Sequence, residues 1–127
     1  MIGTSDKRVL ADGYLEFLAE GKVDSLVRLF APDGVVISPI YGNKSPIDFF
    51  KVLDADTSNS ELKFKGFFDE PDSNRFALFF NYGWEMANGN ASNFDVVDIF
   101  ELNEEGKIRT LQIIYNAGQS AALLNQE

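Results

Sequence analysis

The sequence predicts one α+β domain spanning residues 1–127, with three N-terminal helices packed on a curved, cone-shaped antiparallel sheet that encloses an apolar pocket. Three observations carry this reading. Apolar residues recur at helical spacing as far as Leu53, and from Glu61 onward the period changes to two. The chain, at 127 residues with 45% apolar and 24% charged, has globular proportions and material for one core.

The first helix is read over SDKRVLADGYLEFLAEG, with Val9, Leu10, Tyr14, Phe17 and Leu18 inward. Asp6, Lys7, Asp12, Glu16 and Glu20 fall on its wet side. Ser5 or Asp6 caps its start and Gly21 ends it. A second helix fits KVDSLVRLF, with Val23, Leu26, Val27 and Phe30 inward, stopped by Pro32, Asp33 and Gly34. The β-prone run DGVVISPIYG follows. Ser45, Pro46 and Asp48 then supply an N-cap, a first-turn proline and an acidic first turn for a short helix carrying Ile47, Phe50 and Leu53.

After the polar stretch DADTSNS, ELKFKGFFD alternates Leu62, Phe64 and Phe68 against Glu61, Lys63 and Lys65. PDSN is a turn. RFALFFNYGWEM sets Phe76, Leu78, Phe80, Tyr82, Trp84 and Met86 on one face, with Gly83 as the place for a bulge or bend. ANGNASN is a hairpin loop, NFDVVDIFEL its return strand, NEEG a turn, KIRTLQIIYN a final strand, and SAALLNQE a short terminal helix.

Composition excludes several function classes. The formal charge of −9, without a basic stripe, disfavours nucleic acid and anionic membrane surfaces as partners. No histidine and no cysteine occur, which removes histidine-centred triads, thiol nucleophiles and Cys/His metal sites. Acid–base chemistry must come from carboxylates, tyrosines or lysines. No cofactor is implied, because no glycine-rich phosphate loop follows a strand, and no carboxylate cluster suggests a metal. MIGTSDKRVL lacks an apolar signal core, and no apolar run approaches the ~20 residues that cross a bilayer, so the expected location is cytoplasmic.

One residue stands out for chemistry. The strand from Phe94 to Leu102 reads Phe94, Val96, Asp98, Phe100 and Leu102 on one face, a single carboxylate in an apolar stripe. Such a group must be hydrogen-bonded, paired with a cation or protonated. The plain structural alternative pairs it with Arg109 on the next strand. Tyr14, on the apolar face of the first helix, is the second candidate, against a core tyrosine with its hydroxyl at the rim.

The run YLEFLAEGKVDSLVRLFAPDGVVISPIYG, followed by FDVVDIFELNEEGKIRTLQIIY, resembles the ketosteroid isomerase and nuclear-transport-factor-2-like superfamily, including its SnoaL-like polyketide cyclases. The resemblance runs from about Val9 to Asn116 and implies the cystatin-like roll of that superfamily. It rests on the helix–Gly–helix opening, with Gly21, Phe30, Ala31 and Asp33, and on the strand–turn–strand ending around Gly106. It further implies catalytic roles for Tyr14 and Asp98 as donors to an enolate oxygen, the arrangement of ketosteroid isomerase that serves as a general worked case of pKa tuning. That family places its proton-shuttling aspartate before a proline after the first strand. Here Ser38 precedes Pro39, and a serine without an activating histidine is too weak a base.

Strand parity and this resemblance together give the pocket lining as Ser38, Tyr41, Phe80, Tyr82, Trp84, Phe94, Phe100, Leu111, Ile113 and Tyr115. The implied function is binding of a small apolar organic ligand, with any catalysis being proton transfer next to a carbonyl. The alternative is a noncatalytic ligand-binding or dimeric interaction domain of the same fold. Outward-facing Phe79, Val97 and Ile99 suggest a homodimer.

Overall fold

The computed structural model describes residues 2–126. In chain order the elements are α1 (Thr4–Glu20), α2 (Val23–Arg28), β1 (Phe30–Ser38), β2 (Gly42–Lys44), α3 (Pro46–Ala55), β3 (Thr57–Asp69), β4 (Arg75–Met86), β5 (Ala91–Leu102), β6 (Ile108–Ile114) and α4 (Gly118–Leu124). The strands form one curved, unclosed six-stranded sheet in the order β2-β1-β6-β5-β4-β3. Every neighbouring pair is antiparallel except β1 with β6, which run parallel because the chain returns to β1 only after crossing the sheet. The fold is thus α+β, and α1 and α3 cover the inner face of the sheet.

The even positions of β4 from Phe76 to Met86 are all buried, as alternation predicts. Gly21 ends α1 in the left-handed region at φ 67°, and the backbone N–H groups of Gly21 and Lys22 return to Leu18 and Phe17. Ser45 Oγ accepts from the Asp48 N–H at the start of α3, as expected of an N-cap.

Elsewhere the structure departs from the sequence reading for identifiable reasons. Gly3, not Ser5 or Asp6, is the N-cap of α1, and both of those residues lie inside the helix. The buried stripe of α1 is Lys7, Ala11, Tyr14 and Leu18, whereas Val9 is 70% exposed. Lys7 reaches inward because Asp69 and the Ser73 carbonyl take its ammonium. Helix α2 is shorter than KVDSLVRLF, and Phe30 already belongs to β1. Pro32, Asp33 and Gly34 lie in an irregular stretch of β1 between Phe30 and Val35, not in a turn that precedes the strand. A Cβ on Gly34 would lie 3.0 Å from the Ala31 carbonyl and 3.1 Å from that of Ile108, so a larger residue there requires a small shift of the neighbouring backbone.

The polar stretch after α3 is largely the start of β3. The expected irregularity at Gly83 is absent, since β4 pairs through Gly83 with Glu61 and Asn93 without a shift. It lies instead in β3, between Phe64 and Gly66, and reverses the parity beyond it. Phe67 therefore packs on Phe76, while Phe68 is 59% exposed.

Candidate functional site

Between the inner face of the sheet and the covering helices, the cavity that holds both Tyr14 and Asp98 is apolar, with about 50 Å³ of room for the centres of water-sized molecules. Helix α1 contributes Tyr14 and, one turn on, Leu18; α3 contributes Phe49 and Leu53 at the same spacing. Ser38 closes β1, and Tyr41 follows in the hairpin to β2. Alternate positions of β4 supply Phe80, Tyr82 and Trp84, and those of β5 supply Phe94, Val96 and Asp98. Ile113 and Tyr115 complete the wall from β6 and the residues after it.

Tyr14 and Asp98 thus meet at the same cavity as eight of the ten residues assigned to its lining from sequence. Phe100 and Leu111 are corrections. Both are wholly buried behind the cavity wall, where Phe100 stacks on Phe76 at 4.6 Å and meets Tyr14 edge-on at 5.1 Å. They share strand parity with the lining, but at this end of the sheet the helix packs directly on them. Leu18, Phe49, Leu53 and Val96 were missed. Val96 stood on the Asp98 stripe, and the four-residue spacing of Phe49 and Leu53 was the available signal for α3.

Most polar groups of the lining are satisfied outside the cavity. Tyr41 donates to Asp56 Oδ2 at 2.6 Å, the Tyr82 and Ser60 hydroxyls share a bond of 2.8 Å, and Trp84 Nε1 donates to Thr57 Oγ1 at 2.8 Å. Ser38 Oγ accepts from the backbone N–H groups of Ile40 at 3.2 Å and Tyr41 at 3.1 Å, so it serves as a turn acceptor.

Asp98 is the exception. It is 1% exposed, and its Oδ1 is buried without a hydrogen-bond partner. Burial raises its pKa well above the ordinary carboxylate value, and the adjacent Tyr14 hydroxyl pulls it down by less. Arg109, the proposed alternative partner, is exposed on β6, and no cation offsets the burial of Asp98. The tyrosines respond in kind. Burial first, then the Asp98 charge, pushes Tyr14 well above its ordinary pKa, and burial pushes Tyr82 up to about 12. Tyr41 and Tyr115 are also raised, again chiefly by burial.

Aromatic rings frame the acid. Tyr82, Phe94 and Tyr115 stack in sequence across the sheet, at 5.6 Å and 4.1 Å between centroids, and Trp84 stands perpendicular to Tyr82. Among the described residues, no group of three carboxylates or other ligating side chains is placed to hold a metal ion. No described helix is long and apolar enough to cross a membrane.

No family model and no curated protein sequence matches the chain. Solved structures do. A nuclear-transport-factor-2-like protein of unknown function from Burkholderia pseudomallei is 14% identical, with 95% of this chain and 98% of that one covered at a TM-score of 0.83. A putative polyketide cyclase from Xanthomonas campestris pv. campestris is 15% identical, with 95% and 98% covered at 0.80. A ketosteroid isomerase-like protein from Catenulispora acidiphila, solved in complex with trimethylamine, is 14% identical, with 93% of each chain covered at 0.78. The chain has the nuclear-transport-factor-2-like, ketosteroid isomerase-like fold. That fold hosts many chemistries, so function has to be argued from the site.

Proposed function

We propose that this chain is a small-molecule-binding domain in which neutral Asp98, with Tyr14 beside it, donates a hydrogen bond to the one polar acceptor of an otherwise apolar ligand. The observation that carries this reading is a buried carboxyl group with an unsatisfied oxygen at the wall of an apolar cavity. Unpartnered buried polar atoms are uncommon and costly, and a ligand that completes the set recovers that cost on binding. The cavity exceeds the roughly 10–15 Å³ needed to hold one water. A small organic molecule such as the trimethylamine bound by the Catenulispora protein is the scale of ligand this reading has in view.

Any catalysis would be proton transfer next to a carbonyl, with the proton leaving and returning through Asp98. No second carboxylate lines the cavity, and Ser38 is engaged by the backbone. Binding is therefore the primary activity. Pairing of two copies through the outer sheet face belongs to this reading; Phe79, Val97 and Ile99 are half-buried there, and Phe68, at 59%, Ile114, at 47%, and Val35, at 37%, are exposed on the same face. Light scattering at micromolar concentration should give the dimer mass.

The test is a screen of fragments of up to about five heavy atoms by amide and methyl chemical-shift perturbation in wild type and Asp98→Asn. Shifts confined to Leu18, Leu53, Val96 and Ile113, and weaker in the variant, support the reading. A screen with no response at these residues, for carbonyl, hydroxyl and amine probes alike, refutes it.

A further inference from the structure

We infer that the ligand class of this cavity is a small tertiary or quaternary alkylamine, with its nitrogen at Asp98 and its alkyl groups among the aromatic side chains of the wall. This rests on the reading that the ligand's polar atom meets Asp98 and names that atom, with the proton then carried by the nitrogen and Asp98 the acceptor.

The first argument is the composition of the wall. All four tyrosines of the chain, Tyr14, Tyr41, Tyr82 and Tyr115, and its one tryptophan, Trp84, line this one cavity. No lysine or arginine does. Aromatic faces carry the negative end of the ring quadrupole, and a set of them around a carboxyl group favours an organic cation over a neutral molecule of the same shape. Packing alone could be met by leucine or isoleucine, which need no partners for hydroxyl or indole groups. Here Tyr41, Tyr82 and Trp84 are each anchored by a hydrogen bond to Asp56, Ser60 and Thr57, which fixes the orientation of their rings.

The second argument is the hydrogen-bonding balance at Asp98. A neutral carboxyl group has an O–H to donate and an oxygen that accepts, and Oδ1 has no donor. A ketone or ether could take the O–H and would leave that acceptor unmet. An alcohol or a tertiary amine resolves both, and only the amine takes up the charge that an aromatic wall favours. Its lone pair takes the proton, the O–H bond breaks as the N–H bond forms, and the products are a carboxylate and an ammonium that donates back to it. No further reactant is needed. A quaternary ammonium has no N–H to donate, so it meets Asp98 by charge alone once Asp98 releases its proton to solvent, and Oδ1 keeps no donor. The titratable groups that face Asp98 are Tyr14 from α1, Tyr82 from β4 and Tyr115 after β6, and none supplies a positive charge in the ligand's place.

The experiment is isothermal titration of the whole chain with trimethylamine, tetramethylammonium, acetone and tert-butanol, in two buffers of different ionisation enthalpy, alongside 13C NMR of the Asp98 carboxyl carbon. At a pH where trimethylamine is in solution as its ammonium, its binding should release about one proton per site and move the Asp98 carbon to the ionised position. Asp98→Asn should weaken it about tenfold or more, and Tyr115→Leu should weaken it more than it weakens acetone. Acetone or tert-butanol binding at the cavity as tightly as the amines, or amine binding with no proton release and no change at the Asp98 carbon, overturns the inference and leaves the binding reading standing. Failure of all four probes to bind overturns both. The carboxyl-carbon measurement uses wild type, so the outcome does not depend on the variants folding.

Discussion

Lys7 and Asp98 are both 1% exposed, yet the fold treats the two side chains differently. Lys7 Nζ lies 2.6 Å from Asp69 Oδ1 and 2.7 Å from the Ser73 carbonyl, so its charge is met by two acceptors at the turn between β3 and β4. The Thr4 hydroxyl also donates to Asp69, tying the start of α1 to the same turn. Asp98 has the Tyr14 hydroxyl beside it, and its Oδ1 has no partner. A buried charge with its partners in place is part of the scaffold; one left without them stores a capacity to bind. Lys7 fastens the first helix over the sheet, and that placement puts Tyr14 against Asp98.

The comparison can be broken from the Lys7 side first, where the effect should be largest. Lys7→Ala removes a charged hydrogen bond to a backbone carbonyl together with a buried stem, and should destabilise the protein by about 2–3 kcal/mol in urea unfolding. A neutral result would mean that the turn holds α1 without it. The partner adds a pH signature. Its hydrogen bonds with Lys7 and then Thr4 hold Asp69 below the ordinary carboxylate pKa. A depressed folded pKa stabilises above the unfolded value, and this contribution is lost as pH falls through the folded one. Acid should therefore weaken wild type in a way that Lys7→Ala does not reproduce.

Ser38 tests whether a polar residue at the cavity wall can still be scaffold. Its hydroxyl accepts two backbone N–H bonds, so Ser38→Ala should cost about 1 kcal/mol and leave fragment binding at the cavity unchanged. Loss of binding with no loss of stability would reverse the assignment.

Asp98→Asn should have the smallest effect on stability, and of the opposite sign. The folded pKa is raised, so Asp98 contributes stability below its unfolded value near 3.8 and loses it as pH rises through the folded value. The variant should match wild type in strong acid and equal or exceed it at pH 8, as read by thermal melts. A variant that melts well below wild type at pH 8 would show that Asp98 is paired after all and that the contrast with Lys7 is empty.

Much of this architecture was legible in the chain. The alternation of β4 and β5 placed Phe80, Tyr82, Trp84, Phe94 and Asp98 on one face, because side chains of a strand alternate whatever the strand packs on. The absence of histidine and cysteine restricts the chemistry whatever the fold. What failed depended on partners far along the chain. Lys7 read as a solvated residue because its acceptors at Asp69 and Ser73 lie more than sixty residues away. Phe68 read as inward because the irregularity between Phe64 and Gly66 leaves no mark in a pattern of alternation. Phe100 and Leu111 read as cavity wall because parity states which face a residue occupies and not what packs against it.

Local periodicity and residue type therefore determined the order of elements, the inner face of the sheet and the single acid upon it. Tertiary structure decided the rest: the rotation of α1 that buries Lys7, the position of the irregularity in β3, the small volume of the cavity, and the lack of any cation beside Asp98. Periodicity follows from backbone geometry that each residue shares with its neighbours. Volume, pairing and desolvation depend on which distant side chains arrive at the same place, and that is set only when the sheet has curved and the helices have closed over it.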